Sequence, residues 1–126
     1  MSAHTESFEA RPRPPQIERP EADEGNPALV EEIMDALRSV QDPEIPVNLV
    51  DLGLIYEVMV RRDGLTYIEM TLTTPACPVA GTLPGQVQNV AAMVPGVSAV
   101  LVKLVWEPTW TRDRMSEAAK LELGLL

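Results

Sequence analysis

The chain has 126 residues, of which 45% are apolar and only 4% aromatic, so a single domain with an aliphatic core is expected. A formal net charge of −9 opposes binding to nucleic acid or to an anionic membrane, since both favour a basic surface. One cysteine excludes an intramolecular disulfide, and neither a signal-peptide pattern nor an apolar run of about 20 residues occurs, so a cytoplasmic protein is predicted.

Residues 1–26 differ in composition from the rest of the chain. They contain four prolines and many charged residues, with little that is apolar beyond Phe8 and Ile17. Such a segment buries too little apolar surface to offset the entropy lost on ordering. We therefore predict a disordered, acidic, Pro-rich tail over 1–26, with a docking peptide as the alternative, and a folded domain over 27–126.

The first predicted helix begins at Asn26 and Pro27, because asparagine suits the N-cap and proline the first helical position. Apolar residues then recur at helical spacing up to Leu37, and the helix is expected to end near Ser39 or Val40. A loop stiffened by two prolines follows over 41–53.

Two strands joined by a hairpin come next. Apolar residues alternate with others over 54–61 and again over 66–72. A three-residue loop with Gly64 in the left-handed region places both apolar faces on the same side of the sheet, whereas a two-residue turn does not. That loop predicts two cross-strand apolar pairs, which are Val58 with Ile68 and Tyr56 with Met70.

The second half of the chain predicts a helix, a strand and a short helix. Apolar residues lie at helical spacing over 79–94. The strand over 97–106 is apolar on both faces except for Ser98 and Lys103, and it is expected to be central or well covered. The last helix is predicted over 115–123, capped by Thr111 or Asp113. The order helix, strand, strand, helix, strand, helix predicts a two-layer α+β domain with a small mixed sheet.

Cys77 lies where the second long helix is predicted to begin. Because Pro78 suits the first helical position, Cys77 is a candidate N-cap, where the helix dipole favours the thiolate that binds a metal or a cluster iron. The alternative is a buried cysteine acting as a small hydrophobe. Thiol catalysis is not expected, because the only histidine, His4, lies in the predicted tail.

A single cysteine also limits the metal site that one chain can build. Structural zinc takes four ligands, mostly Cys and His, and a [2Fe–2S] cluster typically takes four cysteines. No stable soft-metal site is therefore expected within one chain. A cluster bound by Cys77 must be shared between chains, completed by another protein or small thiol, or held only in transit.

The other candidate residues are less specific. Asp42, Glu44 and Asp51 are oxygen ligands of the kind that Mg²⁺ or Ca²⁺ prefers, but their spacing matches no known loop. The alternative is that Asp42 and Asp51 cap the loop or its turns. Trp106 and Trp110 are predicted to be core or lid residues. Neither GxxxxGK[ST] nor GxGxxG occurs, so ATP-driven chemistry is not expected.

Five motifs in a fixed order give a more specific indication. They are Asp42-Pro43-Glu44-Ile45-Pro46, the stretch 50–56, the stretch 70–78 that ends in Thr73-Thr74-Pro75-Ala76-Cys77-Pro78, Pro95-Gly96-Val97, and the stretch from Pro108-Thr109-Trp110 to Gly124. Together, over residues 28–126, they resemble SufT-like proteins within the family of metal–sulfur cluster assembly factors. The resemblance implies a small α+β domain and a non-enzymatic, accessory role in iron–sulfur cluster assembly or delivery, alongside the SUF machinery.

The same resemblance implies that Cys77 is the functional cysteine, acting as a transient cluster ligand, with the Asp-Pro-Glu loop near it. The supporting residues are then expected to be Asp42, Glu44, Asp51, Thr73 and Thr74. The implied partners are SUF scaffold or carrier proteins and apo client proteins. A homodimer is expected, because a second chain or a carrier must complete the cluster.

Two relatives resemble the domain but differ from it. The phenylacetate-pathway protein PaaD carries extra C-terminal cysteines suited to zinc, and the Mrp-type carriers attach the domain to a phosphate-loop ATPase. Neither feature occurs in this sequence. Two alternatives remain open, which are a protein-interaction adaptor with a structural Cys77 and a PaaD-like subunit of a hydroxylating complex.

Overall fold

The computed structural model describes residues 17–42, 45–73 and 83–124. Within that part, the elements follow in the order α1 (Pro27–Leu37), α2 (Leu49–Leu52), β1 (Ile55–Val60), β2 (Leu65–Met70), α3 (Leu83–Ala92), β3 (Ala99–Leu104), a 3-10 turn (Arg112–Arg114) and α4 (Glu117–Glu122). The predicted α+β class is confirmed. The predicted N-cap at Cys77 lies outside the described residues.

Helix α1 begins where the sequence indicated. The Asn26 side chain accepts a hydrogen bond from the Leu29 backbone N–H at 3.2 Å, and Pro27 lies in the first turn. Leu29, Ile33 and Leu37 form the buried face. Burial of each of these side chains contributes about 1.5–3 kcal/mol, so packing rather than capping dominates the stability of this helix. The helix ends at Leu37, earlier than predicted.

The three strands form one mixed sheet in the order β1-β2-β3. β1 is antiparallel to β2, and β3 is parallel to β2. This edge position of β3 corrects the expectation of a central or well-covered strand. Both faces of the strand have a use for apolar residues. Val100 is buried beneath the helices, and Leu101 lies half-buried on the other face, beside Tyr67.

The hairpin has the predicted loop length and register. Val58 pairs with Ile68, and Gly64 has a φ of +90°. A side chain at position 64 would be strained at that φ, and its Cβ would also collide with the carbonyl oxygen of Gly96. Glycine at this turn therefore fixes which residues of the two strands face the helices.

The predicted pairing of Tyr56 with Met70 is wrong. A bulge between Ile55 and Glu57 places Ile55 opposite Met70 and leaves Tyr56 as the extra residue. A bulge adds one residue to a strand and re-aims the side chains around it. Here the Tyr56 hydroxyl donates a hydrogen bond to the carbonyl of Pro108 at 2.8 Å.

The final helix, α4, begins later than predicted. Its N-cap is Ser116, whose hydroxyl oxygen accepts from the Ala119 N–H at 3.1 Å. Thr111 and Asp113 do not cap it, because Thr111 precedes the 3-10 turn and Asp113 lies within it.

The helices cover one face of the sheet, and the core lies between them. Its fully buried members include Ile33, Leu37, Leu49, Ile68 and Val87. None of the helices in the described ranges is long and apolar enough to cross a membrane.

Residues 17–25, within the predicted tail, contact the folded domain. The Arg19 guanidinium donates to both carboxylate oxygens of Glu57 at 2.7–3.1 Å. Both oxygens of Asp23 accept from the Arg62 N–H at 3.1 Å. Charge pairing thus holds this stretch beside β1 and the hairpin loop, which a prediction based on apolar content does not detect. Residues 1–16 lie outside the described residues, and there the disordered tail stays a prediction.

Candidate functional site

Cys77 and Thr74 belong to residues 74–82, which lie outside the described residues. The chain on either side of them is well anchored in the core. Thr71, just after the central strand, is 1% exposed, and Leu83, at the start of α3, is 2% exposed. The Thr71 N–H donates to the carbonyl of Leu54 at 2.9 Å. The two ends of the stretch that carries Cys77 are therefore fixed by the sheet and by α3.

Thr73 lies in a cavity with two tryptophans. The cavity has a volume of about 250 Å³ and is lined by Thr71, Leu72, Thr73, Trp106, Glu107, Thr109 and Trp110. The Val105 N–H donates to the carbonyl of Met70 at 2.8 Å, which brings the residues after β3 alongside those after β2.

The two tryptophans differ in their surroundings. The Trp110 indole N–H donates to the carbonyl of Leu52 at 2.7 Å, and the ring packs against the core. Trp106 is 42% exposed. Trp110 thus forms the side of the cavity that contacts the core, whereas the exposed apolar surface of Trp106 is accessible to a binding molecule.

Asp42 is the buried carboxylate of the Asp-Pro-Glu loop, at 6% exposed. One of its oxygens accepts from the Ile45 N–H at 3.0 Å, and its own N–H donates to the Val47 carbonyl at 3.2 Å. Gln41 and Asn48 form an isolated antiparallel bridge across the base of the same loop. Asp42 therefore orders this loop from within. Its predicted neighbour in the site, Glu44, lies outside the described residues.

Asp51 belongs to the short helix α2, in a stretch for which the sequence predicted only a loop. The Asn48 side-chain oxygen accepts from the Asp51 N–H at 2.9 Å, and the Asn48 amide donates to the Asp51 carboxylate at 2.8 Å. The Asn48 side chain therefore caps α2, and its amide group also binds the Asp51 carboxylate. The spacing of Asn48 and Asp51 is the sequence signal that would have predicted α2.

Asp51 and Thr73 line different cavities. Asp51 lines one of about 210 Å³ that also includes Asn48, Ala118 and Glu122, against α4. Across the described ranges, no three His, Cys, Asp or Glu side chains are grouped so that they could hold a metal ion. The Asp42 carboxylate caps the Ile45 N–H, as the capping role predicts, whereas the Asp51 carboxylate accepts from the Asn48 side-chain amide rather than from a backbone N–H.

A larger groove, of about 610 Å³, lies at the start of β1 and was not predicted. Its lining is Gly53, Ile55, Tyr56, Glu57, Glu69, Glu107, Pro108 and Arg114. The Arg114 guanidinium lies 4.7 Å from the centroid of the Tyr56 ring. The hydrogen bond from Arg19 holds the pKa of Glu57 below its usual value. The sequence contains no local signal for this groove, because the bulge and residues far apart in the chain create it.

Comparison with known proteins identifies the family. The sequence profile described as "Iron-sulfur cluster assembly protein" matches residues 30–102. The chain belongs to this family. The match includes Cys77 and confirms the resemblance to cluster assembly factors that the five motifs indicated.

Individual relatives agree with this assignment. The Fe-S protein maturation auxiliary factor YitW of Bacillus subtilis is 49% identical over 98 residues, which cover 78% of this chain and 96% of that protein. The Fe-S protein maturation auxiliary factor SufT of Staphylococcus aureus is 42% identical over 86 residues, which cover 68% of this chain and 98% of that protein.

A solved structure has the same fold. It is a domain of unknown function from Bacillus anthracis, with a TM-score of 0.74 and 38% identity, covering 79% of this chain and 95% of that one.

Proposed function

We propose that this protein is a non-enzymatic accessory factor that assists the assembly of iron–sulfur clusters or their delivery to apo client proteins, through Cys77. The observation that carries the proposal is membership of the assembly family over 30–102, a range that contains the only cysteine of the chain. The names of the two bacterial relatives, both auxiliary maturation factors, support an accessory role.

In this proposal the cluster is cargo rather than a resident cofactor. One thiolate supplies one of the ligands that a cluster needs, and the remaining ligands come from elsewhere. We propose that a second copy of the chain, or a scaffold or carrier of the SUF machinery, provides them in the cytoplasm. Transfer to a client then requires only exchange of those outside ligands, which suits a protein that hands a cluster on.

Two features of the described residues are consistent with this proposal. Asp42 orders the Asp-Pro-Glu loop through its bond to the Ile45 N–H. The cavity that Thr73 shares with Trp106 is the described surface nearest to Cys77 in sequence. We assign this cavity, which Thr73 lines, to contact with the carrier or client.

Anaerobic reconstitution of the full chain, compared with Cys77→Ser, tests the ligand role. Wild type is expected to retain iron and sulfide after desalting and to show sulfide-to-iron absorption bands, while Cys77→Ser loses both. Leu121→Ala, which changes an exposed residue at 68% exposure, is the matched control and should behave as wild type. Equal iron and sulfide in wild type and Cys77→Ser would contradict the ligand role. The mass of the reconstituted species by light scattering reports whether two chains share the cluster.

A protein-interaction adaptor is the second candidate, and the exposed Trp106 favours it. Large aromatic residues at a surface often anchor protein contacts. Maturation of an apo client in cells separates the two functions. The adaptor requires that Cys77→Ser still supports maturation while Trp106→Ala does not. The cluster-ligand role requires that Cys77→Ser fails.

A further inference from the structure

The sheet face opposite the helices is covered by the chain's own N-terminal segment. The strand register places Met59, Tyr67 and Leu101 in one row across this face, and Glu57 beside Glu69 in the next row. Tyr67 is 0% exposed although it does not belong to the helix-covered core. We define this surface as the back face.

The segment over 17–25 has a definite direction on the back face. Arg19 pairs with Glu57, and Asp23 lies against Arg61 and Arg62, with 3.9 Å between the Asp23 carboxylate and the Arg61 Nε. The pairing advances by four residues along the segment, from Arg19 to Asp23, and by four residues in the same direction from Glu57 to Arg61. The segment therefore runs parallel to β1. The residues that precede Ile17 are therefore directed towards the start of β1.

The groove of about 610 Å³ lies at that end of β1. It contains three carboxylates, from Glu57, Glu69 and Glu107, and one guanidinium, from Arg114, which lies over a tyrosine ring. Glu57 already binds the guanidinium of Arg19 with both oxygens. The groove is thus a surface on which this chain places an arginine. Its other charged lining residues, Glu69, Glu107 and Arg114, have a formal net charge of −1, and Glu69 also accepts the Tyr67 hydroxyl and lies opposite Lys103 of β3.

The residues that precede Ile17 in the sequence include positively charged side chains, opposite in sign to these carboxylates. The stretch over 11–16 reads Arg-Pro-Arg-Pro-Pro-Gln. Proline-rich chain in the polyproline conformation extends by about 3.1 Å per residue, so six residues in that conformation would span about 19 Å. Arginine binds carboxylates in bidentate fashion, and proline lowers the entropy that an extended segment loses on docking.

We propose that the groove is the docking site of the chain's own segment 11–16, with the guanidiniums of Arg11 and Arg13 on the carboxylates of Glu69 and Glu107. The groove shares Glu107 with the tryptophan cavity beside Thr73. The docked segment therefore borders the cavity proposed for carrier or client contact. A basic segment of a partner would have to displace it to reach the same carboxylates.

Paramagnetic relaxation enhancement on the full chain tests the proposal. A nitroxide is attached at Ala10→Cys in a Cys77→Ser background, and the amide signals of the uniformly ¹⁵N-labelled protein are recorded. Selective loss of signal at Gly53, Tyr56 and Arg114 is expected. A salt concentration of 1 M, at which the screening length is about 3 Å, should restore most of the signal. Uniform weak broadening, or broadening centred elsewhere, would overturn the proposal.

Two charge reversals and one mixed sample complete the test. Glu107→Lys, and separately the double change of Arg11→Glu with Arg13→Glu, should abolish the selective loss. Glu31→Lys, the same charge change at an exposed position on α1, should leave it intact. The mixed sample combines ¹⁵N-labelled chain without nitroxide and unlabelled chain with it. Selective loss in that sample would mean that a second copy supplies the segment, and would overturn docking within one chain.

Discussion

The two faces of the sheet are held by different forces. On one face, aliphatic residues of α1 and α3 pack on the strands, and Ile33, Ile68 and Val87 are 0% exposed. On the back face, an extended segment without regular structure is attached through ion pairs at its two ends. The Arg19 and Glu57 side chains of one such pair are 44% and 32% exposed.

This difference has a consequence for dynamics. Burial of an aliphatic side chain contributes about 1.5–3 kcal/mol, whereas an exposed ion pair contributes about 0.2–1 kcal/mol and is screened by salt. The helices are therefore a permanent part of the fold, and the segment 17–25 is a cover that detaches far more easily. Four changes, taken from the largest expected effect to the smallest, test this contrast.

Ile33→Ala should have the largest effect, because it removes a fully buried side chain from the helix-covered face. We expect a loss of about 2–5 kcal/mol in the free energy of unfolding, since a cavity is left in a packed core. Urea denaturation followed by circular dichroism measures it. Met93→Ala, at a site 82% exposed on the same layer, should change stability by less than about 0.5 kcal/mol. Similar losses in the two variants would contradict a core centred on α1.

Tyr67→Phe should have a smaller effect on the back face. The Tyr67 hydroxyl donates to a Glu69 carboxylate oxygen at 2.6 Å, and losing a hydrogen bond to a charged group costs about 1.5–3 kcal/mol. Burial and this hydrogen bond raise the pKa of Tyr67. The stabilisation is therefore fully present below the ordinary tyrosine pKa of about 10 and is lost as the pH rises above it.

Titration of tyrosinate absorbance checks that sign. The wild type should retain a component that ionises only at strongly alkaline pH, and Tyr67→Phe should lack it. If the absorbance curves of the two proteins differed only in the ordinary range near pH 10, the proposed environment of Tyr67 would be wrong.

Sequence reasoning succeeded where spacing determines structure. The N-cap at Asn26 and the pairing of Val58 with Ile68 follow from local residue preferences and from the two-residue period of a strand. It failed where residues far apart in sequence meet. The bulge at Tyr56 and the pairing of Arg19 with Glu57 have no local signal, because each depends on which segment lies alongside β1.

The candidate site divides in the same way. The five ordered motifs resembled those of cluster assembly factors, and the family match over 30–102 confirms that resemblance. The sequence named Asp42 and Asp51 as candidates without deciding between ligand and cap. The bond of Asp42 to the Ile45 N–H is that of a cap, whereas Asp51 accepts from the Asn48 side chain. The role of Cys77 stays a prediction, because a cluster bound by this thiol needs further ligands from a second molecule.

Arg19→Ala should barely change global stability yet release the cover. We expect only a small loss in the free energy of unfolding, because the ion pair that it removes is exposed and screened by solvent. Amide hydrogen exchange at Arg62, whose N–H donates to Asp23, should become faster. Arg38→Ala removes another exposed ion pair, with Asp35 at 2.6 Å, and should leave exchange at Arg62 unchanged. Equal exchange at Arg62 in both variants would mean that Arg19 does not hold the segment.

Lowering the pH should give the smallest and most local effect, at the segment alone. The pKa of Asp23 is lowered mainly by the backbone hydrogen bond from Gly25, and the pKa of Glu57 is lowered mainly by the side-chain hydrogen bond from Arg19. Because both values lie below those of the unfolded chain, about 3.9 and 4.3, the stabilisation is complete above that range and is lost as the pH falls through the lowered values.

Chemical shifts of the Gly25 and Arg62 amides, followed from pH 7 to pH 2, should therefore move together below pH 4, before the signals of Ile33 and Ile68 change. At 1 M salt the screening length is about 3 Å, so the Coulombic part of the attachment is weakened and the same amides should already be shifted at neutral pH. A single transition that moved Gly25 and Ile33 together would contradict the contrast, because it would make the cover and the core one cooperative unit.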